Sequence, residues 1–259
     1  MKVGIGASAD IEKIERSIEK IIDKADFVIF TRSLPQPPHE RSEKIEYRLS
    51  DTPESDLVDA LYNGDIDAAV RGTLPANLVM KNIKTRFGVK KLRRVALLEI
   101  CGGRCAGKKF LLAPVGVDEG WDVEDKLEFI KECRPLAKRL GLNDSVAVLS
   151  GGRTGDIGRH AVVDRTIRDA EEIAEMSGAE NCEILIEDAP QNHGIIIAPD
   201  GISGNLIFRT LCLLGNGDAH GAPVLNISKT FVDTSRAGSD YANALLLAVS
   251  LSDNKKQTI

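Results

Sequence analysis

The sequence has neither a long hydrophobic run nor an excess of basic residues. No apolar run reaches the roughly 18 residues that are needed to cross a bilayer. The 34 basic and 39 acidic side chains give a formal net charge of -5, without the basic stripe that nucleic acid requires. Five scattered cysteines are typical of reduced thiols rather than of a disulfide framework, and residues 1–6 show no secretory pattern. We therefore expect a cytoplasmic protein with no nucleic-acid partner and no membrane partner.

Short apolar runs alternate with segments of helical periodicity along the chain. Residues 3–8 and 27–30 are apolar runs that predict strands, and between them Ile11, Ile14 and Ile18 fall on one helical face. A continuous apolar run is typical of a strand that is buried on both faces of a parallel sheet. Because helices separate the strands throughout, the sequence predicts an α/β protein with mainly parallel sheets.

The predicted strands, about ten in number, are too many for one twisted sheet. With 42% hydrophobic residues, the 259-residue chain can bury two cores instead. We expect two α/β lobes, the first formed by residues 1–107 and 229–259 and the second by residues 108–228. A short edge strand is expected over residues 45–49.

Two connections between a strand and a helix place polar side chains where open α/β sheets bind ligands. A buried run at residues 194–198 ends in a Pro/Gly loop before a helix that is expected to begin near Asn205. Further along, Ser235 and Arg236 precede a last helix that is expected from about Asp240. A hydroxyl, a guanidinium and free helix amides suit an anionic oxygen. Ser is also an ordinary N-cap and Arg an ordinary surface residue, so the residues alone leave both interpretations open.

The order of three C-terminal motifs resembles the phosphate acetyl- and butyryltransferase family. These motifs are a Gly-Asn pair at Gly204, a strand that contains glycine and proline, and a Ser-Arg pair that follows Asp233. Upstream, Arg71 and the glycine after it are similar to that family's Lys-Gly motif, with Arg in place of Lys. The resemblance extends over residues 65–250, and its most specific part lies near the C-terminus.

This resemblance implies a fold and a reaction. The fold is two α/β lobes with an interlobe cleft, like those of isocitrate and isopropylmalate dehydrogenases, usually in a homodimer. The reaction moves an acyl group between a coenzyme A thioester and phosphate, with small anionic substrates and no tightly bound cofactor. Ser235 is then expected to hydrogen-bond the reacting centre, and Arg236 to hold the phosphate or its developing charge. The residues expected to bind substrate in the cleft are Arg71, Gly72, Thr73, Gly204 and Asn205.

Two departures from the family pattern affect this expectation. The family's general base is an Asp seven residues after the Ser, and this chain has Ala242 at that position. Asp240 is two positions earlier, about 200° away on a continuous helix, and replaces the base only if the helix begins later. A general base typically contributes about 10²- to 10⁴-fold in rate. The segment before Gly194 is also much shorter than in the family, so the substrate is not expected to be simply acetyl-CoA.

The chain as a whole most resembles a methanogen marker family known as methyltransferase subunit X, a divergent relative of the phosphate acyltransferases. That label implies methyl transfer. Gly4 and Gly6 give a weak nucleotide-binding signal, because such turns serve many α/β loops. S-adenosylmethionine bound at residues 4–8 is therefore an alternative. Another alternative, motivated by Ala242, is a catalytically degenerate protein that retains a phosphate or coenzyme A site.

Three further features have both a functional and a structural interpretation. Residues 151–158 form a glycine-rich loop whose amides can cradle a phosphate, with Arg153 as the best contact, but it lacks the Gly-Lys-Ser/Thr ending of a P-loop. The structural alternative is a flexible loop between the lobes. Cys101 and Cys105 are too few ligands for zinc, so no metal site is expected. Among four isolated histidines, His193 is the one that we would select for mutation.

Overall fold

The computed structural model describes residues 1–34, 42–236, 238 and 240–253. The chain divides into two compact units, one formed by Met1–Leu92 with His220–Ile259 and the other by Arg93–Ala219. The second unit is thus inserted between two parts of the first.

Helices and strands alternate along most of the chain, which begins and ends in the first unit. This unit starts with β1 (Lys2–Ala7), α1 (Ile11–Glu19), β2 (Asp26–Thr31), β3 (Ile45–Leu49), α2 (Pro53–Asn63), β4 (Ala68–Val70) and α3 (Ala76–Phe87). The second unit contains β5 (Ala96–Glu99), β6 (Lys109–Ala113), α4 (Val123–Arg139), β7 (Val146–Val148), α5 (Ala161–Ser177), β8 (Glu180–Asn181), α6 (Ala189–Asn192), β9 (Ile195–Ile197), α7 (Gly201–Arg209) and β10 (Asp218–Ala219). The first unit then continues with β11 (Ala222–Pro223), β12 (Thr230–Asp233) and α8 (Ala242–Asp253).

The first unit is built around a sheet with the strand order β11-β12-β4-β1-β2-β3. Neighbouring strands are parallel except for β11 and β12, which are antiparallel. The central strands β12, β4 and β1 are almost entirely buried, as continuous apolar runs are in parallel sheets. β3 lies at the edge, is only partly buried and carries the charged Glu46 and Arg48, so the predicted edge strand is confirmed.

One hydrophobic cluster packs α2 and α3 against β2, β4 and β12. Its members lie before and after the inserted unit along the chain. They include Leu61 in α2 and Phe231 in β12, and both are fully buried. The segment after the insertion is therefore needed to complete the core of the first unit.

The second unit has a separate sheet with the order β10-β5-β6-β9-β7-β8. β6, β9, β7 and β8 are parallel, whereas β5 is antiparallel to β6 and β10 is antiparallel to β5. Two mainly parallel sheets with connecting helices confirm the predicted α/β class with two lobes. None of the described helices combines the length and the apolar character needed to cross a bilayer.

The unit boundaries lie earlier than the sequence suggested, at Leu92 and Ala219 rather than at residues 107 and 228. β5 pairs with β6 through a short connection, so it belongs to the second sheet. β11 pairs with β12, so the chain has already returned to the first sheet at this strand. Both pairings are antiparallel neighbours, whereas the alternating pattern of the sequence led us to expect helical crossovers.

Two helices begin at other residues than expected. α7 begins at Gly201 and not near Asn205, because the Asp200 carboxylate caps it by accepting a hydrogen bond from the amide of Ser203 (2.8 Å). α8 begins at Ala242, two residues after Asp240.

Candidate functional site

Three parallel strands of the first sheet end side by side, and the segments that follow them form the candidate site. β12, β4 and β1 are neighbours in this order. Because the carboxyl ends of parallel strands meet at one edge of a sheet, Ser8 after β1, residues 71–73 after β4 and residues 234–236 after β12 lie along that edge. We call it the carboxyl edge of the first sheet. It brings together five of the predicted site residues: Arg71, Gly72, Thr73, Ser235 and Arg236.

Gly72 and Thr73 hold the loops of the carboxyl edge together. Gly72 has a φ of +61°, and a Cβ at this position would lie 2.1 Å from the carbonyl oxygen of Gly6, so only glycine fits. The Thr73 hydroxyl accepts hydrogen bonds from the amides of Ser8 (2.9 Å) and Ala9 (3.2 Å), and it donates to the carbonyl of Ala9 (2.8 Å). One donated and two accepted bonds use the full capacity of a hydroxyl. Thr73 therefore shapes the edge and has no spare hydrogen-bonding group for a substrate.

Arg71 lies at the end of β4 with only 5% of its surface exposed. Its Nε donates to the carboxylate of Asp233, the last residue of β12, and its Nη1 donates to the carbonyl of Leu74 (2.7 Å). A guanidinium has five N–H groups, so three of them have no partner among the described residues. Asp233 compensates the buried charge of Arg71 and fixes the orientation of its side chain. The remaining donors can bind an anion.

The segment after β12 adds a second guanidinium. The Thr234 hydroxyl donates to the carbonyl of Gly72 (3.0 Å) and so joins the two loops. Ser235 is half-buried, whereas Arg236 is exposed. Within the part of the chain that the structure describes, the Arg236 guanidinium has no ion pair or hydrogen bond. Because Asp233 balances the charge of Arg71, Arg236 is the guanidinium here whose charge has no carboxylate partner among the described residues, and such a charge attracts anions.

Tyr241 has a hydroxyl that is buried without a hydrogen-bond partner among the described residues. The residue is 2% exposed, and the Lys13 ammonium lies 5.0 Å from the centre of its ring. A buried polar group without a partner costs about 1–3 kcal/mol. Such a group is expected where a ligand or a water supplies the missing bond. Nothing in the sequence pattern indicated this residue, because a tyrosine before an apolar helix looks like an ordinary core residue.

The Tyr241 phenol lies in the electrostatic field of both arginines of the carboxyl edge. Burial raises its pKa, and the charge of Asp10 acts in the same direction. The charges of Arg71 and Arg236 lower the pKa without cancelling the effect of burial. The phenol therefore stays protonated at neutral pH and can donate a hydrogen bond.

Ala242 and Asp240 occupy the positions where the family resemblance suggests a general base. The methyl group of Ala242 cannot take up a proton. The Asp240 carboxylate accepts a hydrogen bond from the amide of Ala242 (3.1 Å) and pairs with Lys20 (2.7 Å). Burial raises the pKa of Asp240, but the bonds to Lys20 and Ala242, with the charges of Lys20 and Lys13, hold it below its ordinary value. Asp240 is thus a weak base that caps α8.

In the second unit, Gly204 and Asn205 pack against the loop that follows β6. A Cβ at Gly204 would lie 1.9 Å from the carbonyl oxygen of Pro114, so α7 can approach this loop only with glycine there. Asn205 donates from Nδ2 to the carbonyl of Val115 (2.9 Å). These contacts give both residues a role in joining α7 to the loop.

The glycine-rich loop, residues 151–158, has six of its eight amides bound by the chain's own acceptors, two of them by backbone carbonyls. Side-chain oxygens accept hydrogen bonds from four of these amides at 2.8–2.9 Å: Asp156 from Arg153, Glu183 from Thr154, Asp164 from Gly158 and Thr166 from Gly151. The bonds from backbone amides are the largest cause of the lowered pKa of Asp156 and of Glu183. Because a phosphate cradle needs free amides, these contacts favour the structural interpretation of the loop. The Arg153 side chain is exposed.

Named proteins of methanogens are similar to this chain, although no protein-family model matches it. It is 45% identical over 219 residues to the "Putative methyltransferase mtx subunit X" of Methanosarcina barkeri, and the aligned region covers 83% of this chain and 79% of that protein. It is 34% identical over 263 residues to an "Uncharacterized methyltransferase" of Methanopyrus kandleri, which covers 97% of this chain and 99% of that protein.

Solved structures with a similar fold are more distant in sequence. A branched-chain phosphotransacylase from Enterococcus faecalis has a TM-score of 0.75 at 17% identity, covering 96% of this chain and 98% of that one. A phosphotransacetylase from Streptococcus pyogenes has a TM-score of 0.67 at 15% identity, covering 100% and 94%. An isocitrate dehydrogenase from Methylococcus capsulatus has a TM-score of 0.52 at 12% identity, covering 97% and 82%. At these identities the likeness concerns the fold alone, and it confirms the predicted fold class.

Proposed function

The chain belongs to the methyltransferase mtx subunit X family, and from that premise we propose that it is a transferase of the phosphate acyltransferase type. It would move an acyl group between a coenzyme A thioester and inorganic phosphate, with no tightly bound cofactor. The fold that it shares with phosphotransacylases is compatible with this chemistry, although a fold by itself does not assign a reaction. A homodimer is part of the same proposal and is carried by the family resemblance.

The observation that carries the proposal is the set of unused donors at the carboxyl edge of the first sheet. Arg71 keeps three N–H groups without a partner among the described residues, Arg236 has none of its donors bound there, and the Tyr241 hydroxyl is buried and unpaired. Two guanidinium groups and a phenol match the several acceptor oxygens of a phosphate. Such a set of donors is costly to leave unbound and is expected where an anion binds.

The donors also match the charge changes of acyl transfer from sulfur to phosphate. A phosphate oxygen attacks the thioester carbonyl carbon, a C–O bond forms, the C–S bond breaks, and the thiolate leaves with the electron pair. Arg71 and Arg236 would hold the phosphate, and Ser235 would donate a hydrogen bond to the carbonyl oxygen as its negative charge develops. The protonated phenol of Tyr241 would donate a hydrogen bond to a phosphate oxygen, and the thiolate would take up a proton from solvent after it has left. This direction requires no carboxylate base at Ala242.

A second candidate function is binding without catalysis. The methyl group of Ala242 and the commitment of Asp240 to α8 and Lys20 favour it, because the family's general base then has no substitute among the carboxylates at this position. Such a protein would bind phosphate or coenzyme A at the carboxyl edge and would act as a carrier of that ligand or as a regulatory protein.

Methyl transfer is suggested by the names of the relatives, but the structure gives it less support than it gives acyl transfer. The two glycines that gave a weak nucleotide signal are needed for packing inside the chain. A Cβ at Gly4 would lie 2.5 Å from Cδ1 of Ile66, and a Cβ at Gly6 would lie 2.1 Å from Cδ1 of Leu74. The side chains of the core therefore account for both glycines without a nucleotide.

The test is phosphate-dependent release of free thiol from a panel of acyl-CoA esters. It compares the wild type with Arg236→Gln and with the matched control Arg16→Gln, an exposed arginine on α1 of the same unit. A hydrogen bond to a charged group contributes about 1.5–3 kcal/mol, and 1.4 kcal/mol is about tenfold in affinity. We expect KM for phosphate to rise about tenfold to a hundredfold in Arg236→Gln and to stay unchanged in Arg16→Gln.

Three other outcomes would redirect the proposal. Equal KM values for phosphate in wild type and Arg236→Gln would exclude Arg236 from the site. Phosphate binding by calorimetry without turnover of any ester would favour the binding protein. Binding of S-adenosylmethionine, with no effect of phosphate, would favour methyl transfer.

A further inference from the structure

Three side chains with different donor atoms converge at the edge of the second sheet. Glu180 lies on the edge strand β8, Cys182 follows that strand directly, and His193 follows α6. One carboxylate oxygen, the Cys182 Sγ and one ring nitrogen of His193 all lie within 4.8 Å of one another. The sequence did not indicate this group, because the cysteine and the histidine are eleven positions apart and only the return of the chain through α6 brings them together.

The hydrogen bonds of His193 leave one nitrogen facing the group. The residue is 8% exposed; its Nδ1 lies 3.1 Å from the carbonyl oxygen of Ala189, and its Nε2 lies 3.0 Å from a carboxylate oxygen of Glu180. A neutral imidazole has one N–H and one lone pair. If Nδ1 donates to Ala189, the Nε2 lone pair faces a carboxylate oxygen, an arrangement that a cation between the two atoms stabilises.

From these contacts we propose that Glu180, Cys182 and His193 bind a divalent transition-metal ion, with Zn²⁺ as the best match. A histidine that donates from Nδ1 to a backbone carbonyl and binds a metal through Nε2 is a common arrangement in metal sites. A thiolate with an imidazole selects zinc over magnesium or calcium, which prefer oxygen ligands. Three protein ligands leave the fourth position of the zinc tetrahedron open to water or to an added ligand.

The backbone already holds the three ligands in place. β8 pairs with β7, which positions Glu180 opposite Ala147, and the amide of Cys182 donates to the carbonyl of Val148 (2.9 Å). A Cβ at Gly194, the residue after His193, would lie 2.0 Å from the carbonyl oxygen of Asn143. The chain can therefore pass Asn143 closely only with glycine there, and this fixes the start of β9 beside the histidine.

The alternative is an ion pair between a protonated His193 and Glu180, with Cys182 as a bystander. This alternative needs no metal and makes no use of the thiol. The two explanations therefore differ in what Cys182 does. The proposal does not depend on the proposed acyl transfer, because none of the three residues belongs to the carboxyl edge of the first sheet.

The experiment uses the full chain after treatment with a chelator. Zn²⁺ is titrated against a chromophoric chelator, and Co²⁺ is added separately to detect the absorption band of a cobalt–thiolate bond. We compare the wild type with Cys182→Ser, Glu180→Gln and the control Cys101→Ser, an exposed thiol of the same unit. The expected result is stoichiometric Zn²⁺ binding that weakens at least tenfold in Cys182→Ser and in Glu180→Gln but not in Cys101→Ser. The cobalt–thiolate band should be absent from Cys182→Ser alone.

Two results would overturn the proposal. One is the absence of stoichiometric Zn²⁺ binding by the wild type. The other is equal affinity in the wild type and Cys182→Ser, because the ion then binds elsewhere. If Cys182→Ser does not fold, Glu180→Gln decides, since Glu180 is exposed and its substitution is expected to leave the fold intact.

Discussion

The carboxyl edge of the first sheet and the glycine-rich loop of the second unit both have the sequence features of an anion site. They differ in how far the chain's own acceptors use their hydrogen-bond donors. Each offers an arginine and glycine-containing turns. In the loop, Asp156, Glu183 and Asp164 accept hydrogen bonds from backbone amides. At the carboxyl edge, the guanidinium groups and the Tyr241 phenol keep donors that the described residues do not use. The two regions therefore differ in unsatisfied donors and not in glycine content, and this difference is the reason that we propose the carboxyl edge as the anion site.

The supply of nearby carboxylates explains this difference. The loop has three acidic side chains within hydrogen-bonding distance, so it carries its own anions. The carboxyl edge has Asp233, which binds one side of Arg71 and leaves the other donors of that guanidinium unbound. An external anion can bind the unused donors of the carboxyl edge. At the glycine-rich loop, it would have to displace the chain's own carboxylates.

The largest expected effect comes from Arg71→Gln, which leaves Asp233 as a buried charge without its guanidinium. Breaking a buried ion pair costs about 3–5 kcal/mol, so the free energy of unfolding of the first unit should fall by about that amount. Urea unfolding followed by far-UV circular dichroism measures it. The matched change in the loop, Asp156→Asn, acts at a partly exposed position and keeps an acceptor oxygen for the amide of Arg153, so it should cost much less. Equal losses in the two variants would contradict the comparison.

Tyr241→Phe should have an intermediate effect, with opposite signs for stability and activity. Removing a buried hydroxyl that has no partner should stabilise the ligand-free protein by about 1 kcal/mol. The same change should lower phosphate-dependent thiol release about tenfold, because it removes a donor. The control Tyr62→Phe alters a tyrosine that is 46% exposed and should change neither property. A loss of stability in Tyr241→Phe would show that the hydroxyl has a partner in the free protein.

The smallest expected effect is the dependence of the loop on pH. The pKa of Asp156 and that of Glu183 are both lowered, chiefly by hydrogen bonds from backbone amides. A carboxylate whose pKa is lowered on folding stabilises the protein above its ordinary pKa, and this contribution is lost as the pH falls through about 4 and below. Between neutral pH and that range, the Tm of the second unit should fall slightly more in wild type than in Asp156→Asn. Fluorescence of Trp121, which lies in this unit, reports the transition.

The fold was largely predictable from the sequence, because apolar runs and helical periodicity are local signals. The antiparallel pairing of β5 with β6 was missed, although the nine residues between these strands are too few for a crossover helix and were an available signal. The start of α7 was predicted too late, although Asp200 is a preferred N-cap residue type and was an available signal.

The candidate site was predictable only in part. Arg71 could be named because of the family resemblance, and Arg236 because of that resemblance and its place just before a predicted helix. The pairing of Arg71 with Asp233 and the unpaired hydroxyl of Tyr241 depend on three-dimensional contacts that have no period in the sequence. For the same reason, the acceptors that fill the glycine-rich loop could not be seen in advance, as Glu183 is far from that loop along the chain.

The insertion of one unit into the other also sets an order of events during synthesis. Arg71 and Asp233 are separated by 162 positions, and the whole second unit lies between them. Domains fold as units during synthesis, which starts at the N-terminus. The second unit can therefore fold before Asp233, the partner of Arg71, has been synthesised. The proposed anion site at the carboxyl edge is then the last feature to assemble. A nascent or prematurely ended chain should therefore fold its inserted half and show no affinity for phosphate at that edge.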